Sequence, residues 1–173
     1  MNIRQWALIL LFALVVFGID QGVKVLIDAT MYPGESIPKQ GFFRLTFVRN
    51  TGVAFGLFRD RGMLLTVTSI IGISVMVWYF RRHTMPGMLP LLSLGMLLGG
   101  ALGNLADRVR LGSVVDFIDV GPWPIFNLAD AAVVTGVAIL LWILYQPGQK
   151  EPKAEPGGWT NIAGQGTTFS DGP

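Results

Sequence analysis

The sequence predicts an α-helical integral membrane protein: four transmembrane helices, with a small β-rich insert after the first. Three observations carry this. Hydrophobic residues make up 51% of the 173 residues and charged residues 14%, whereas about a quarter of a soluble domain is charged. Four apolar runs, over 6–27, 62–80, 85–107 and 128–145, each approach the roughly 20 residues that cross the hydrocarbon. Residues 29–61, between the first two runs, are mixed in polarity and partly alternate, as a half-buried strand does.

The same composition excludes several functions. The net charge is +2, and no basic cluster interleaved with aromatics offers a nucleic-acid surface. The absence of Cys removes thiolate nucleophiles, disulfides and Cys–zinc sites. The single histidine, His83, rules out a multi-histidine metal site within one chain.

Taken in order, the first run carries no charge as far as Ile19, then Asp20, Gln21 and Lys24. No small-x-small cleavage site follows it, so it reads as an uncleaved helix. Asp20 and Lys24 lie four apart with the acid first, the favoured order for a helical ion pair. They are either a helix-end pair reaching the interface or the support of a site. In the insert, Tyr32-Pro33-Gly34 marks a turn. Phe43, Leu45 and Phe47 then alternate with Arg44, Thr46 and Val48, which predicts a strand with one apolar face on the membrane surface. On spacing alone Asn50, before Thr51-Gly52, reads as a turn residue. Val53 to Phe58 is apolar again.

The second run ends in Trp78, Tyr79, Arg81 and Arg82, the aromatic and basic residues of an interface. His83 beside them reads as a solvated loop residue. The third run repeats Gly95, Gly99 and Gly103, a small-xxx-small stripe that lets helices approach closely in lipid. It closes on Asn104, Asp107 and Arg108, either a polar helix end with Asp107 and Arg108 compensating each other or the edge of a site. Before the fourth run, Asn127 is an N-cap candidate that places Asp130 at the third helical position. Residues 1–145 thus read as one membrane-embedded domain. Residues 146–173, rich in Pro, Gly, Gln, Lys and Glu, read as a disordered tail. Counting Lys and Arg on the two sides of a four-span chain leaves its orientation open.

The stretch from Gly99 to Asp130 gathers the acids. Asp116 lies between Val115 and Phe117 in a short extended piece, and the Pro-flanked reversal 121–124 leads back to Asp130. Each acid alone reads as a loop acid or a helix cap. Together they bracket a reversal at the membrane edge, where acids are costly and functional. Two carboxylates held close cannot both ionise easily, so one serves as base toward a water and the other as acid. Desolvation would favour the neutral form of Asp116, and the helix dipole the charged form of Asp130. Spacing alone does not separate hydrolysis from proton transport. Transport would spread polar residues through the midplane of several helices, and here they gather at one edge. A Ser/Lys peptidase built on Lys24 and Ser113 has no support in the local spacing.

Five blocks give the chain a family resemblance: Asp20-Gln21-Gly22-Val23-Lys24, Asn50-Thr51-Gly52-Val53-Ala54-Phe55, Gly99 to Arg108, Val114-Val115-Asp116-Phe117 and Phe126-Asn127-Leu128-Ala129-Asp130. In order, on a chain of this length, they resemble lipoprotein signal peptidase (signal peptidase II) to about Tyr145. The resemblance implies an aspartic endopeptidase that cleaves prolipoproteins before a diacylglyceryl-modified Cys, with Asp116 and Asp130 as catalytic pair and no cofactor or metal. It implies support or substrate binding by Asp20, Lys24, Asn50, Gly100, Asn104, Asp107, Arg108, Asn127 and Ala129. It further implies a multi-pass protein of the bacterial cytoplasmic membrane with cytoplasmic termini, an extracytoplasmic insert that cradles substrate, and a dyad near the outer leaflet. Expected partners are prolipoprotein substrates and membrane lipids, with the enzyme a monomer and no nucleic acid bound. Many family members carry an aromatic where this chain has Arg49. Asp119 falls outside the matched blocks, and its loss is expected to leave most activity.

Overall fold

The structure, a computed structural model, describes residues 1–51, 62–82 and 86–145, with side chains in 62–66 excepted. The expectations for residues 53–58, for His83 and for the tail from 146 fall outside the described residues. Helix α1 spans Ile3–Thr30, followed by β1 (Ser36–Ile37), β2 (Arg44–Asn50), α2 (Gly62–Arg82), α3 (Met88–Leu111), β3 (Val114–Asp119) and α4 (Leu128–Tyr145). Among the described residues three helices, α1, α3 and α4, are long and apolar enough to cross a membrane.

The bounds of α1 and α3 differ most from the sequence expectation. Helix α1 begins at Ile3 rather than near Trp6, because Asn2 and Gln5 form a reciprocal capping box at 2.9 Å each way. It continues one turn past Ile27 to Thr30. Helix α3 runs 88–111 rather than 85–107. Arg108 to Leu111 continue the helix without a breaker, and Gly112 at φ +70° stops it, its N–H bonding Arg108 O at 3.1 Å. Pro90 sits in the first turn, where its missing N–H costs nothing.

The glycine stripe sets the packing. Helix α3 lies between α1 and α4 and is the most buried of the three candidate spans. A Cβ on Gly99 would lie 2.6 Å from Ala13 O, and one on Gly103 would lie 2.6 Å from Asp20 Oδ2. A Cβ on Gly100 would strike Ala129 O of α4. In lipid, where apolar surface is not driven together by water, such close contact is what binds helices. The matched pairs also give direction: Gly95 beside Phe12 and Gly103 beside Asp20 make α1 and α3 parallel, while Gly100 beside Ala129 and Ser93 bonded to Gly136 O make α4 antiparallel. At the end away from the acids, Ile9, Phe80, Leu91, Leu94 and Leu98 form one core cluster, and Arg81 stacks over Trp6 at 5.9 Å. Leu10, Leu14, Val134 and Leu141 face outward, as lipid-facing residues do.

The sheet is three-stranded and antiparallel in the order β1-β2-β3. Its third strand comes from beyond α3, so the insert alone does not make it. The expected single apolar face at 43, 45 and 47 is corrected. The β2–β3 register shifts between Leu45 and Val48, and such an irregularity turns successive side chains out of alternation. Phe43 and Leu45 are therefore exposed, while Phe47 is buried with Ile27, Met31, Val115 and Phe117. After β3 the chain reverses. Ile118 and Phe126 exchange backbone hydrogen bonds at 2.8 and 3.1 Å, which returns Asn127 and the start of α4 to the side of Asp116.

Candidate active site

The two acids meet around Asn127. Its side-chain amide donates to Asp116 Oδ1 at 2.6 Å and to Asn104 Oδ1 at 3.0 Å. Asn127 also caps α4: its Oδ1 accepts from the Asp130 N–H at 2.9 Å, and its own N–H donates to Asp130 Oδ2 at 3.2 Å. This reciprocal cap, inferred from sequence as a simple N-cap, puts Asp130 in the first turn of α4. Asn127 is fully buried, so its amide is fixed by the partners it satisfies.

Each carboxylate has one further amide donor. Asn50, at the end of β2, donates to Asp116 Oδ2 at 2.8 Å. Asn104, on α3, donates to Asp130 Oδ1 at 2.7 Å. Asn50 is thus more than a turn residue. Burial pushes the Asp116 carboxyl up to about 6, and the nearby Asp130 charge adds to this. The amides of Asn50 and Asn127 and the charge of Lys24 pull the other way.

Behind the acids lies a buried ionic cluster. Lys24 Nζ is 2.9 Å from Asp20 Oδ2, 3.0 Å from Asp107 Oδ2 and 3.0 Å from Asn104 Oδ1. Three acceptors complete an ammonium's three donors. Asp20 Oδ1 accepts from the Ala129 N–H at 2.9 Å, and Asp107 Oδ2 from the Val115 N–H at 3.1 Å. The cluster therefore grips the residues next to both Asp130 and Asp116. Asp20 and Lys24 are both buried, so the reading of this pair as a helix end reaching the interface is set aside. The ion-pair partner of Asp107 is Lys24, and Asp107 and Arg108 do not pair with each other directly. They point apart because neighbours on a helix do not face one another: Asp107 faces Lys24 of α1, while Arg108 Nη1 reaches Ser69 Oγ of α2 at 3.4 Å.

Arg108, Asn104 and Asp130 form the polar end of a cleft of about 400 Å3 between α2, α3 and α4. Its remainder, including Gly72, Met76, Leu97, Ala101 and Val134, is largely apolar. Gly100 and Ala129 mark the point where α3 and α4 touch beside the acids.

Two residues carry roles that the sequence reading missed. Gln21 donates its amide to Asp107 Oδ1 at 3.0 Å and to Gly103 O at 3.2 Å, joining α1 to α3. Asp119 Oδ2 takes Thr46 Oγ1 at 2.8 Å and the Arg44 guanidinium at 2.8 Å, and Asp119 Oδ1 takes the Gly121 N–H at 3.0 Å. The Thr46 hydroxyl first, then the Gly121 N–H and Arg44, hold the Asp119 carboxyl below the usual range. It staples β2 to β3. For Gln21 the polar neighbours Asp20 and Lys24 were the available signal; for Asp119 the sequence offered none, since Thr46 and Arg44 lie on a strand far away in the chain.

Apolar helices long enough to span a membrane, with two acids tied to one buried asparagine at one end, define a multi-pass membrane protein with a polar site at one end of its bundle. The family model described as signal peptidase (SPase) II matches residues 12–146. The chain is 48% identical to the lipoprotein signal peptidase of Moorella thermoacetica, with 82% of this chain and 95% of the relative covered. It is also 48% identical to that of Pelotomaculum thermopropionicum, over 82% and 93%. A solved bacterial membrane enzyme superposes with a TM-score of 0.74 at 32% identity, covering 81% of this chain and 94% of that one. The chain belongs to the signal peptidase II family, the membrane aspartic proteases that remove signal peptides from prolipoproteins.

Proposed function

We propose that this chain is the prolipoprotein signal peptidase of its cell, cutting before the diacylglyceryl-modified Cys with Asp116 and Asp130 as the catalytic pair. The observation that carries the reading is that one buried residue, Asn127, bonds both carboxyl groups. Its family membership supports the reaction class. Held together, the pair shares one proton, and its titration belongs to both members. The ionised member takes a proton from a water, which attacks the scissile carbonyl. The protonated member donates to the carbonyl oxygen as the tetrahedral intermediate forms. Proton return to the amine then releases the new N-terminal Cys. Asn50, Asn104 and Asn127 keep both carboxyls oriented, and the Asp20–Lys24–Asp107 cluster fixes the elements that carry them. Lys24 acts as a charged clamp, its donors committed to three acceptors, which argues against a Ser/Lys mechanism.

The apolar cleft below Asp130 and Arg108 suits the lipid-modified end of the substrate. In this reading α2 is a fourth span, the termini are cytoplasmic, and the acids and sheet lie at the outer leaflet of the bacterial cytoplasmic membrane. The enzyme acts as a monomer and needs no metal or organic cofactor. The test is cleavage of a lipobox peptide with and without diacylglycerol on its Cys. Cleavage of the lipidated peptide alone is expected, and equal cleavage of both would overturn the substrate assignment. Single Cys residues at Glu35 and Arg82 should label from opposite faces of the membrane. Labelling from one face would overturn the topology.

A further inference from the structure

Asp20, Lys24 and Asp28 stand one turn apart on α1 and so form one stripe. The first two grip the site through Ala129, Asn104 and Asp107. The third grips a different element. Asp28 Oδ1 lies 2.5 Å from Arg49 Nη2, and the Arg49 guanidinium lies over the Phe47 ring at 5.7 Å. Phe47 is itself locked in the cluster beneath the sheet. Arg49 is therefore held from two sides, by α1 and by the sheet core.

The next residue is Asn50, the donor to Asp116 Oδ2. It is the last residue of β2 and pairs with Val114 at the final rung of the β2–β3 ladder. Strand ends fray unless something ties them, and a side-chain amide at such an end holds its target only as firmly as the backbone beneath it. We propose that the Asp28–Arg49 ion pair is a positioning device that ties the end of β2 to α1, so that Asn50 holds Asp116 in place. Helix α1 is then the common reference for both acids: Asp20 and Lys24 register the backbone beside each acid through Ala129 and, by way of Asp107, Val115, and Asp28 registers the amide that bonds Asp116. This inference rests on the reading of Asp116 as catalytic.

The test must separate positioning from plain charge. The charged groups acting on Asp116 are Lys24 from α1, Arg108 from α3 and Asp130 from α4, while Asp107 of α3 bonds the neighbouring Val115 N–H. Arg49→Gln removes a positive charge and Asp28→Asn a negative one. Acting through space alone, the two would move the alkaline limb of the kcat/KM pH profile in opposite directions. Acting through Asn50, both weaken the same hydrogen bond to the Asp116 carboxylate, and both move the limb to higher pH. We expect the second pattern, with kcat lowered about two- to fivefold in each variant, as suits a half-exposed pair. The double variant should be no worse than either single one, and Arg49→Lys should recover most of the loss. Opposite shifts, or unshifted limbs with full additivity, would overturn the positioning role. Asp116→Asn is measured beside them. Its inactivity with unshifted limbs in the pair variants overturns this inference alone, whereas full activity of Asp116→Asn overturns the catalytic assignment itself.

Discussion

The Asn127 amide lies 2.6 Å from Asp116 Oδ1, while the Asn127 backbone N–H lies 3.2 Å from Asp130 Oδ2. One residue thus sets the distance between two acids that arrive on different elements, β3 and α4. Asn127→Ala should break this link. A hydrogen bond to a charged group is worth about 1.5–3 kcal/mol, so activity should fall about 10- to 100-fold. Loss of the helix cap should lower stability by a further 1 kcal/mol or so. Processing of a lipidated precursor at the wild-type rate by this variant would show that the bridge is not needed.

Asp116→Asn and Asp130→Asn should each insert, bind precursor and fail to cleave, because an amide can neither accept the water's proton nor act as the acid. The double variant should be little worse than either, since groups that act as one unit are not additive. Asp119→Asn separates chemistry from structure. It should cleave, yet melt at lower temperature, because its amide leaves Arg44 without the carboxylate at 2.8 Å. Precursor processing by gel, at equal amounts of each variant in membranes, reads the first outcome. A melt in detergent reads the second.

Several features were legible in sequence for physical reasons. Helix existence followed from apolar run length, and the Gly95-Gly99-Gly103 stripe foretold close packing on α1. Asp20 and Lys24 were legible as a pair because four residues make one turn. Their third partner, Asp107, was not, because it lies far along the chain on α3 and no local spacing reports it. Periodicity also failed in β2, where the register shift breaks alternation. Spacing alone hid Asn50, which only the family resemblance singled out: an Asn before Thr-Gly has a sufficient local explanation as a turn, and its partner Asp116 sits on a strand from beyond α3. Asn127 was legible as a cap and not as a bridge, since only the backbone reversal at Ile118 and Phe126 brings it to Asp116.

Lys24 tests the buried cluster. Lys24→Met leaves Asp20 and Asp107, both buried, without their cation. Removing one partner of a buried ionic group costs roughly 3–5 kcal/mol. The expected result is a large drop in melting temperature in detergent and loss of activity. Adding Asp107→Asn to Lys24→Met removes one stranded charge and should recover part of the stability. No change in either variant would place the cluster in solvent.

Gly103 and Gly22 form a matched pair for close approach. A Cβ at Gly103 would sit 2.6 Å from Asp20 Oδ2, whereas one at Gly22 meets nothing within 4 Å. Gly103→Ala should force α1 from α3, weaken the Lys24 cluster and lower both stability and activity. Gly22→Ala should melt at or above the wild-type temperature, since Ala exceeds Gly in a helix by about 1 kcal/mol. Equal behaviour of the two variants in a detergent melt would remove close packing from the account.

The Asp116 carboxyl gives the protein a defined pH response. Its folded-state pKa is about 6 against 3.8 for the free group, with burial the first cause. Below 3.8 it is protonated both folded and unfolded, and the difference has no effect on stability. As pH rises from 3.8 toward 6, the unfolded chain gives up this proton and the folded chain keeps it, so stability falls. Above about 6 the full cost is present, on the order of 3 kcal/mol. Asp119 works in the opposite sense: its lowered pKa contributes stability that is lost as pH falls through the folded value. Asp116→Asn removes only the first effect, so its melting temperature should rise relative to wild type between pH 4 and 7 and run parallel above that. Activity follows the same proton. The pair needs one carboxyl protonated, so kcat/KM should decline on the alkaline side with an apparent midpoint near 6 that belongs to both acids. Substrate lying over the pair excludes more water and should carry the corresponding limb of kcat to higher pH. A kcat/KM limb near 4, together with parallel melting curves for wild type and Asp116→Asn, would show that Asp116 is not desolvated and would remove it as the acid.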